Sequence, residues 1–246
     1  MIRHLEFDRL RNFRDLGGYT TTEGRRVRPA TLYRSDSLGK LTTEADLARF
    51  AALGIGTVID LRYPWEIERG GRVPDFPGLT FHNHSIEHHP YDQAALGADV
   101  DPAVYLVDKY LEVAEEGTAE LRRALQVIAD PAAGRTVFHC ASGKDRTGIV
   151  GALVLTVLGV PPATVEEDFA LTNLATDALA ADWQAKYGPG PLWPGYGQAP
   201  AALIRSFLAE LTARHGSVAG YLAGPLGLGD EYVAALRERL LEPLAP

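Results

Sequence analysis

The chain has 246 residues, 46% of them hydrophobic, which is enough to bury a sizeable core, and one α/β domain over residues 1–246 is expected at this length. Acidic residues outnumber basic ones 32 to 24, a net charge of −8 that argues against a general nucleic-acid binder, and the single cysteine excludes an internal disulfide framework and any multi-cysteine metal site. The longest apolar run, Ile149 to Leu158, is too short to span a bilayer, so no stable membrane insertion is expected; residues 1–20 lack a signal peptide's apolar stretch, so a cytoplasmic location is expected, with signal-less export left open.

Along the chain, Tyr19 to Val27 suggests a short hairpin turning near Glu23-Gly24. Thr43 to Leu53 predicts a helix capped by Thr42 or Thr43 and stopped by Gly54. Thr57 to Leu61 reads as a strand and Leu79 to His84 as a second one. Pro102 to Ala114 and Thr118 to Ala129 carry helical periodicity, and Arg135 to His139 is a β-branched and aromatic run expected of a buried strand. Thr147 to Leu158 is almost wholly apolar and ends at Gly159 and Pro161, a helix with its stop signal. The last third reads as helical, interrupted at Gly188 to Pro200 by a stretch with four glycines and four prolines, a surface loop or, less favoured, a mobile lid. Strands interleaved with helices imply a central, mostly parallel sheet covered on both faces.

The densest chemistry lies in His139-Cys140-Ala141-Ser142-Gly143-Lys144-Asp145-Arg146-Thr147-Gly148, between that strand and that helix. N–H groups at a helix start have no intrahelical acceptor, and the helix dipole adds partial positive charge, so the loop welcomes an oxyanion and favours an anionic sulfur at Cys140. Backbone amides from Ala141 through Ser142, Gly143, Lys144 and Asp145 to Arg146 can cradle a phosphate, and the planar fork of Arg146 can hold two of its oxygens. Thr147 could donate its hydroxyl to the sulfur. An inert buried cysteine is the bland alternative, and the agreement of Gly143, Arg146 and the following helix weighs against it.

The motif H-C-x5-R-[S/T] resembles that of cysteine-dependent protein tyrosine phosphatases, and Gly-Lys-Asp-Arg-Thr-Gly is similar to one bacterial branch of them. Asn12-Phe13-Arg14-Asp15-Leu16-Gly17-Gly18, Leu32 to Leu38, Val58-Ile59-Asp60-Leu61-Arg62, Asp168 to Asn173 and Gly216 to Leu228 also resemble that branch, nearly end to end. Ser142 departs from it, standing where alanine is frequent, which bears on substrate preference more than on catalysis. The resemblance implies a phosphatase-like α/β fold with a helical C-terminal third. It also implies hydrolysis of phosphotyrosine, of phosphoserine or phosphothreonine, or of phosphoinositides, with inorganic phosphate as product.

Such a reaction needs a proton donor for the leaving group, and a carboxyl is the natural candidate. Asp60 sits at the carboxyl end of an apolar strand, where open α/β sheets gather ligands, and the resemblance implicates the Asp of Asp-Leu-Arg as the acid. Asp60 could equally be a carboxylate held by Arg62. Asp145, inside the loop, is the rival, able instead to orient Arg146 or repel substrates, and Asp36 is a third candidate. Eukaryotic tyrosine phosphatases carry a Trp-Pro-Asp acid loop ahead of the cysteine; Trp193-Pro194-Gly195 lies behind it and lacks the carboxylate, a coincidence.

Lys144 is one of only 4 lysines beside 20 arginines, and in a phosphate loop it could meet a second phosphate, as in phosphoinositide phosphatases, or stand solvated on the loop crest. Arg14 and Asp15 could form an ion pair or line the pocket rim, where Arg34 and Arg62 would add positive potential. His82, His84, His88 and His89 form H-x-H-x3-H-H, a spacing that can bind zinc or copper, yet no H-E-x-x-H helix or second carboxylate cluster joins them, and surface or pocket-lining roles fit better. His139 suits support of the loop. No cofactor and no metal is expected. The alternatives are an inositol polyphosphate phosphatase within the same chemistry, a sulfurtransferase or arsenate reductase using the loop cysteine, and a non-catalytic phosphate-binding module, for which the thiolate would be superfluous.

Overall fold

The computed structural model describes residues 4–91, 100–188, 192–193 and 195–244. Its strands are β1 (Arg14–Asp15), β2 (Arg25–Val27), β3 (Leu32–Ser35), β4 (Ile55–Asp60), β5 (Thr80–Asn83), β6 (Arg135–His139) and β7 (Leu241–Pro243). The helices are α1 (Glu44–Ala52), α2 (Pro64–Gly70), α3 (Pro102–Glu116), α4 (Thr118–Ala129), α5 (Asp145–Val157), α6 (Pro162–Ala170), α7 (Thr176–Tyr187), α8 (Ala201–His215), α9 (Val218–Ala223) and α10 (Asp230–Leu240). A five-stranded sheet runs β1-β3-β6-β4-β5, parallel except for antiparallel β1. This is the expected α/β architecture, a mostly parallel central sheet flanked by helices with a helical C-terminal third.

Neighbouring residues on the central strands feed opposite cores. Leu32, Ile59 and Phe138 join a large cluster with α3, α4, α5 and the C-terminal helices. Tyr33, Val58 and Val137 join a smaller one with Phe13, Leu38 and Phe50 on the side of α1. Strand side chains alternate faces, so each face needs its own cover. In α4, Leu121, Ala124, Leu125 and Ile128 bury one helical face, while α5 is buried on every side from Arg146 to Leu155, as its apolar sequence requires.

The expected strands and helices appear, Thr118–Ala129 and Arg135–His139 with the bounds expected and the others with ends shifted by at most two residues. The α1 cap is Thr43, whose hydroxyl accepts the Asp46 N–H at 3.2 Å. The hairpin over Tyr19 to Val27 forms as expected: the Val27 N–H donates to Tyr19 O and the Thr21 N–H to Arg25 O, both at 2.8 Å, Thr20 bridges Arg26, and the Gly24 N–H closes the turn on Thr21 O at 3.0 Å; the other edge of β2 pairs with β7 at the far end of the chain. Of the glycine- and proline-rich stretch, residues 189–191 and 194, and with them the lid reading, lie outside the described residues. Among the described residues no helix is long and apolar enough to cross a membrane.

Register decides where the chemistry gathers. Ser35 and Asp60 both stand level with His139 at the carboxyl ends of β3, β4 and β6. The segments that follow, Asp36-Ser37, Leu61-Arg62 and Cys140, therefore leave the sheet side by side.

Candidate active site

Cys140 directly follows β6 and lines a cavity of about 580 Å³, together with Ala141, Ser142, Asp145 and Arg146 of the loop, with Arg62, Glu66, Arg69 and Glu87, and with Tyr63, Trp65, Tyr91, Trp183 and Tyr196. The loop is shaped by its carbonyls. Cys140 O lies 3.2 Å from His139 Nδ1, Ala141 O accepts the Ser37 N–H at 3.1 Å, Ser142 O accepts Asn12 Nδ2 at 3.1 Å, and Gly143 O accepts Arg34 Nη2 at 2.8 Å. With four successive carbonyls tied to the scaffold, the loop backbone is pinned from outside. One amide is partly spent: the Lys144 N–H donates to Ser142 Oγ at 3.4 Å. Gly143 has φ +72°, and a Cβ there would sit 2.6 Å from Ser35 O, so only glycine fits.

Beneath the loop lies a sealed ion network. Asp168 receives Arg34 Nη1 at 2.8 Å, Arg14 Nε at 3.3 Å and the Tyr19 hydroxyl at 3.0 Å. Arg14 also donates to the Asp168 carbonyl and to Asn12 Oδ1, the side chain whose amide holds Ser142. Burial pushes the Asp168 carboxyl up, but Arg14 and Arg34 outweigh it and hold it down at about 2. Arg14, expected on the pocket rim or paired with Asp15, is thus corrected to a fully buried support, while Asp15 caps the Gly17 and Ala30 N–H groups.

Arg146 extends along the cavity wall. Its Nη1 and Nη2 reach Glu66 Oε2 and Oε1 at 2.5 and 3.0 Å, its Nε lies 3.3 Å from Glu87 Oε2, and its guanidinium carbon stands 5.6 Å from the Tyr63 ring centre. Glu66 is fixed by the start of α2: Tyr63 precedes Pro64, and the Tyr63 N–H donates to Glu66 Oε2 at 2.9 Å. Burial raises Glu66, yet its hydrogen bonds and charge contact with Arg146 outweigh this, and it lies below the ordinary carboxylate value. Neither glutamate was anticipated. Tyr-Pro-Trp-Glu, with proline at a helix start and glutamate two residues on, was a readable capping signal for Glu66; Glu87 carried none.

Asp60 and Asp145 have different surroundings. Asp60 is fully buried and absent from the cavity wall; it takes Arg62 Nε at 2.9 Å and Nη2 at 2.7 Å, with His139 Nε2 at 3.5 Å. Burial raises its carboxyl, but His139 and Arg62 prevail and keep it ionised below the usual value. Asp145 is on the cavity wall, where its Oδ1 accepts the Tyr110 hydroxyl at 2.6 Å and lies 3.3 Å from Lys144 Nζ. Burial, aided by Asp145, raises Tyr110 well above the ordinary phenol value, so it stays a proton-bearing donor. Asp36 is fully buried and accepts the Arg11 and Asn12 N–H groups at 3.1 Å.

Lys144 matches neither expectation, being buried, paired with Asp145 and not part of the wall. Arg62 lines the cavity, but its donors go to Asp60, to Ser37 Oγ at 2.9 Å and to Gly71 O at 2.9 Å. The Thr147 hydroxyl is buried with no hydrogen-bond partner, so the expected bond to sulfur is not formed in this state. The histidines separate: His82 stacks on His84 at 5.7 Å, His88 meets Glu120 at 3.3 Å, and His89 meets Glu116 at 3.0 Å. Among the described residues, the grouping able to hold a metal is His89 with Glu112 and Glu116, where Lys109 Nζ already sits 2.7 Å from Glu112.

Residues 5–242 match the model of the tyrosine phosphatase family. A Cupriavidus necator protein provisionally named a tyrosine-protein phosphatase is 31% identical over 97% of this chain and 89% of its own length. The triple specificity protein phosphatase PtpB of Mycobacterium tuberculosis is 34% identical over 69% of each chain. In fold, the core catalytic domain of the PP-IP phosphatase SIW14 from S. cerevisiae aligns with a TM-score of 0.34 at 15% identity, over 70% of this chain and 85% of that one. Matched over nearly all its length, the chain belongs to the tyrosine phosphatase family and is a hydrolase.

Proposed function

We propose that the protein hydrolyses phosphate monoesters through a phosphocysteine on Cys140. The carrying observation is the pinned loop: four outward-tied carbonyls around a cysteine at the start of a buried helix, with Arg146 on the same wall. The sulfur attacks phosphorus in line, and Arg146 and the loop amides stabilise the spreading equatorial charge. The P–O bond to the leaving group breaks as Asp145 gives that oxygen a proton. Water, deprotonated by the same carboxylate, then cleaves the S–P bond and releases inorganic phosphate. Asp145 takes the acid role rather than Asp60, because Asp145 faces the cavity with its second oxygen available, whereas Asp60 is sealed and held ionised by Arg62 and His139. Thr147, whose buried hydroxyl has no other partner, serves the sulfur as it leaves.

Tyr63, Trp65, Tyr91, Trp183 and Tyr196 around the cavity favour an aryl phosphate, so phosphotyrosine in a protein is the preferred substrate. A phosphoinositide is the second reading. It is favoured by Arg69 and Lys186 on the same wall rather than by Lys144. With one cysteine and no cofactor required, the chemistry suits the reducing cytoplasm. The test is phosphate release, with chelator present, from a phosphotyrosine peptide, a phosphoserine peptide and mono- and polyphosphorylated inositides. Cys140→Ser should lose turnover by a factor on the order of 10⁴ or more. Activity that survives the substitution or falls with chelator overturns the reading.

A further inference from the structure

Arg146 has no idle edge. Its Nη1 and Nη2 donate to both oxygens of Glu66, and its Nε stands 3.3 Å from Glu87 Oε2 in an ion contact on the neighbouring edge. A guanidinium takes an oxyanion two-fold through Nη1 and Nη2 or through Nε and Nη2, and a carboxylate stands against each of these edges. Glu66 is the poorer one to displace, since it is also the acceptor for the Tyr63 N–H at the start of α2. Among the described residues no backbone N–H donates to the Glu87 carboxylate; the residue is 6% exposed and forms part of the cavity wall.

We propose that Glu87 is a proton-operated gate on the anion site: ionised, it occupies Arg146 Nε in the empty enzyme; protonated, it yields that edge to phosphate. Binding of a dianion then draws one proton from water onto the Glu87 carboxylate. The inference rests on the phosphate-site reading above and adds its regulation by pH.

The surroundings of Glu87 favour such a switch. Burial raises its carboxyl most; Arg146 of α5 and Lys109 of α3 pull it down, Asp145 of α5 and Glu66 of α2 push it up, and the outcome is about 7. Tyr63 and Tyr91 also lie in its field, both raised mainly by burial and therefore neutral here. A dianion placed against Arg146 adds further repulsion, which drives the proton onto Glu87. Sealed charges of this kind normally stay paired, so a carboxylate close to half-protonation beside the ligand-binding arginine is where a ligand can tip the balance.

The experiment uses the Cys140→Ser full-length protein, which removes the thiol's own titration, and sulfate, which stays a dianion across the range. Sulfate affinity is measured from about pH 6 to about pH 9, and proton uptake is read by calorimetry in two buffers of different ionisation enthalpy. Affinity should be flat below about pH 7 and weaken about tenfold per pH unit above it, with uptake approaching one proton per sulfate at the alkaline end. Adding Glu87→Gln should flatten the profile and abolish uptake. Adding Asp145→Asn should move the midpoint down and keep the slope. A slope and proton uptake that persist in Glu87→Gln, or a flat profile without uptake in Cys140→Ser, would overturn the gate and leave the phosphate site standing. No sulfate binding at any pH would overturn the anion-site reading itself. Calorimetry on Cys140→Ser alone decides the matter should the double variant fail to fold.

Discussion

Two arginine–carboxylate clusters flank the loop and differ in their access to solvent. Arg14, Arg34 and Asp168 form a closed set in which every charge is buried to within 1% and each side chain also holds backbone or a neighbour. Arg146, Glu66 and Glu87 use the same groups, yet lie on the wall of a cavity with side chains 7 to 16% exposed. The first has nothing to exchange its carboxylate for, and it fixes the loop. The second faces the cavity, and on the function proposed above its carboxylates stand where the substrate phosphate arrives. The same groups make a brace in one place and, on that reading, a receptor in the other, and access to the cavity makes the difference.

The largest effect should come from the receptor side. Arg146→Lys keeps the charge but loses the planar fork, and kcat/KM should fall about 10³-fold or more, with little change in the unfolding midpoint. Steady-state kinetics beside a urea titration separate the two. A variant that is equally unstable and inactive would erase the contrast between the clusters.

Asp145→Asn should lower kcat by about 10² to 10⁴-fold on esters with poor leaving groups and far less on aryl esters with good ones, because only the former need the proton. Asp60→Asn should show no such dependence on the leaving group. A leaving-group dependence in Asp60→Asn with none in Asp145→Asn would reverse the assignment.

On the brace side, Asp168→Asn leaves Arg14 and Arg34 buried without their counter-ion. It should cost roughly 3 to 5 kcal/mol in urea unfolding, with activity lost only as far as the loop loosens. The smallest effect is its pH signature. Arg14 and Arg34 outweigh burial and hold the folded Asp168 carboxyl down at about 2, below the ordinary aspartate value of 3.8. Its folded value is the lower one, so its stabilisation is complete above the unfolded value and drains away as pH falls toward the folded one. Unfolding free energy measured from about pH 5 to about pH 2 should drop by about 2 kcal/mol more in the wild type than in Asp168→Asn.

Much of this was legible in the sequence because it is local. Cys140, Gly143, Arg146 and the apolar run of α5 sit in one stretch, and strand and helix signals there agree. The Asp60–Arg62 pairing was also within reach, being two residues apart. What escaped was long-range pairing. Arg14 was expected at a pocket rim because nothing nearby in sequence reveals Asp168, 154 residues away, and Glu87 meets Arg146 only through the cavity wall. The pairing of β2 with β7 escaped for the same reason, since that partner strand is supplied by the chain's end. Single-residue periodicity records which face is buried and says little about which distant charge waits there.

The pins of the loop also order events in time. Asn12 and Arg34 reach Ser142 and Gly143 across sequence separations of 130 and 109 residues. A refolding chain can therefore form α5 and much of its helical content early, from neighbouring residues, while the loop at its start stays unset until β1 and β3 have docked. Recovery of helical signal should precede recovery of anion binding, and a chain lacking the Asn12 amide should regain the first on schedule and the second late.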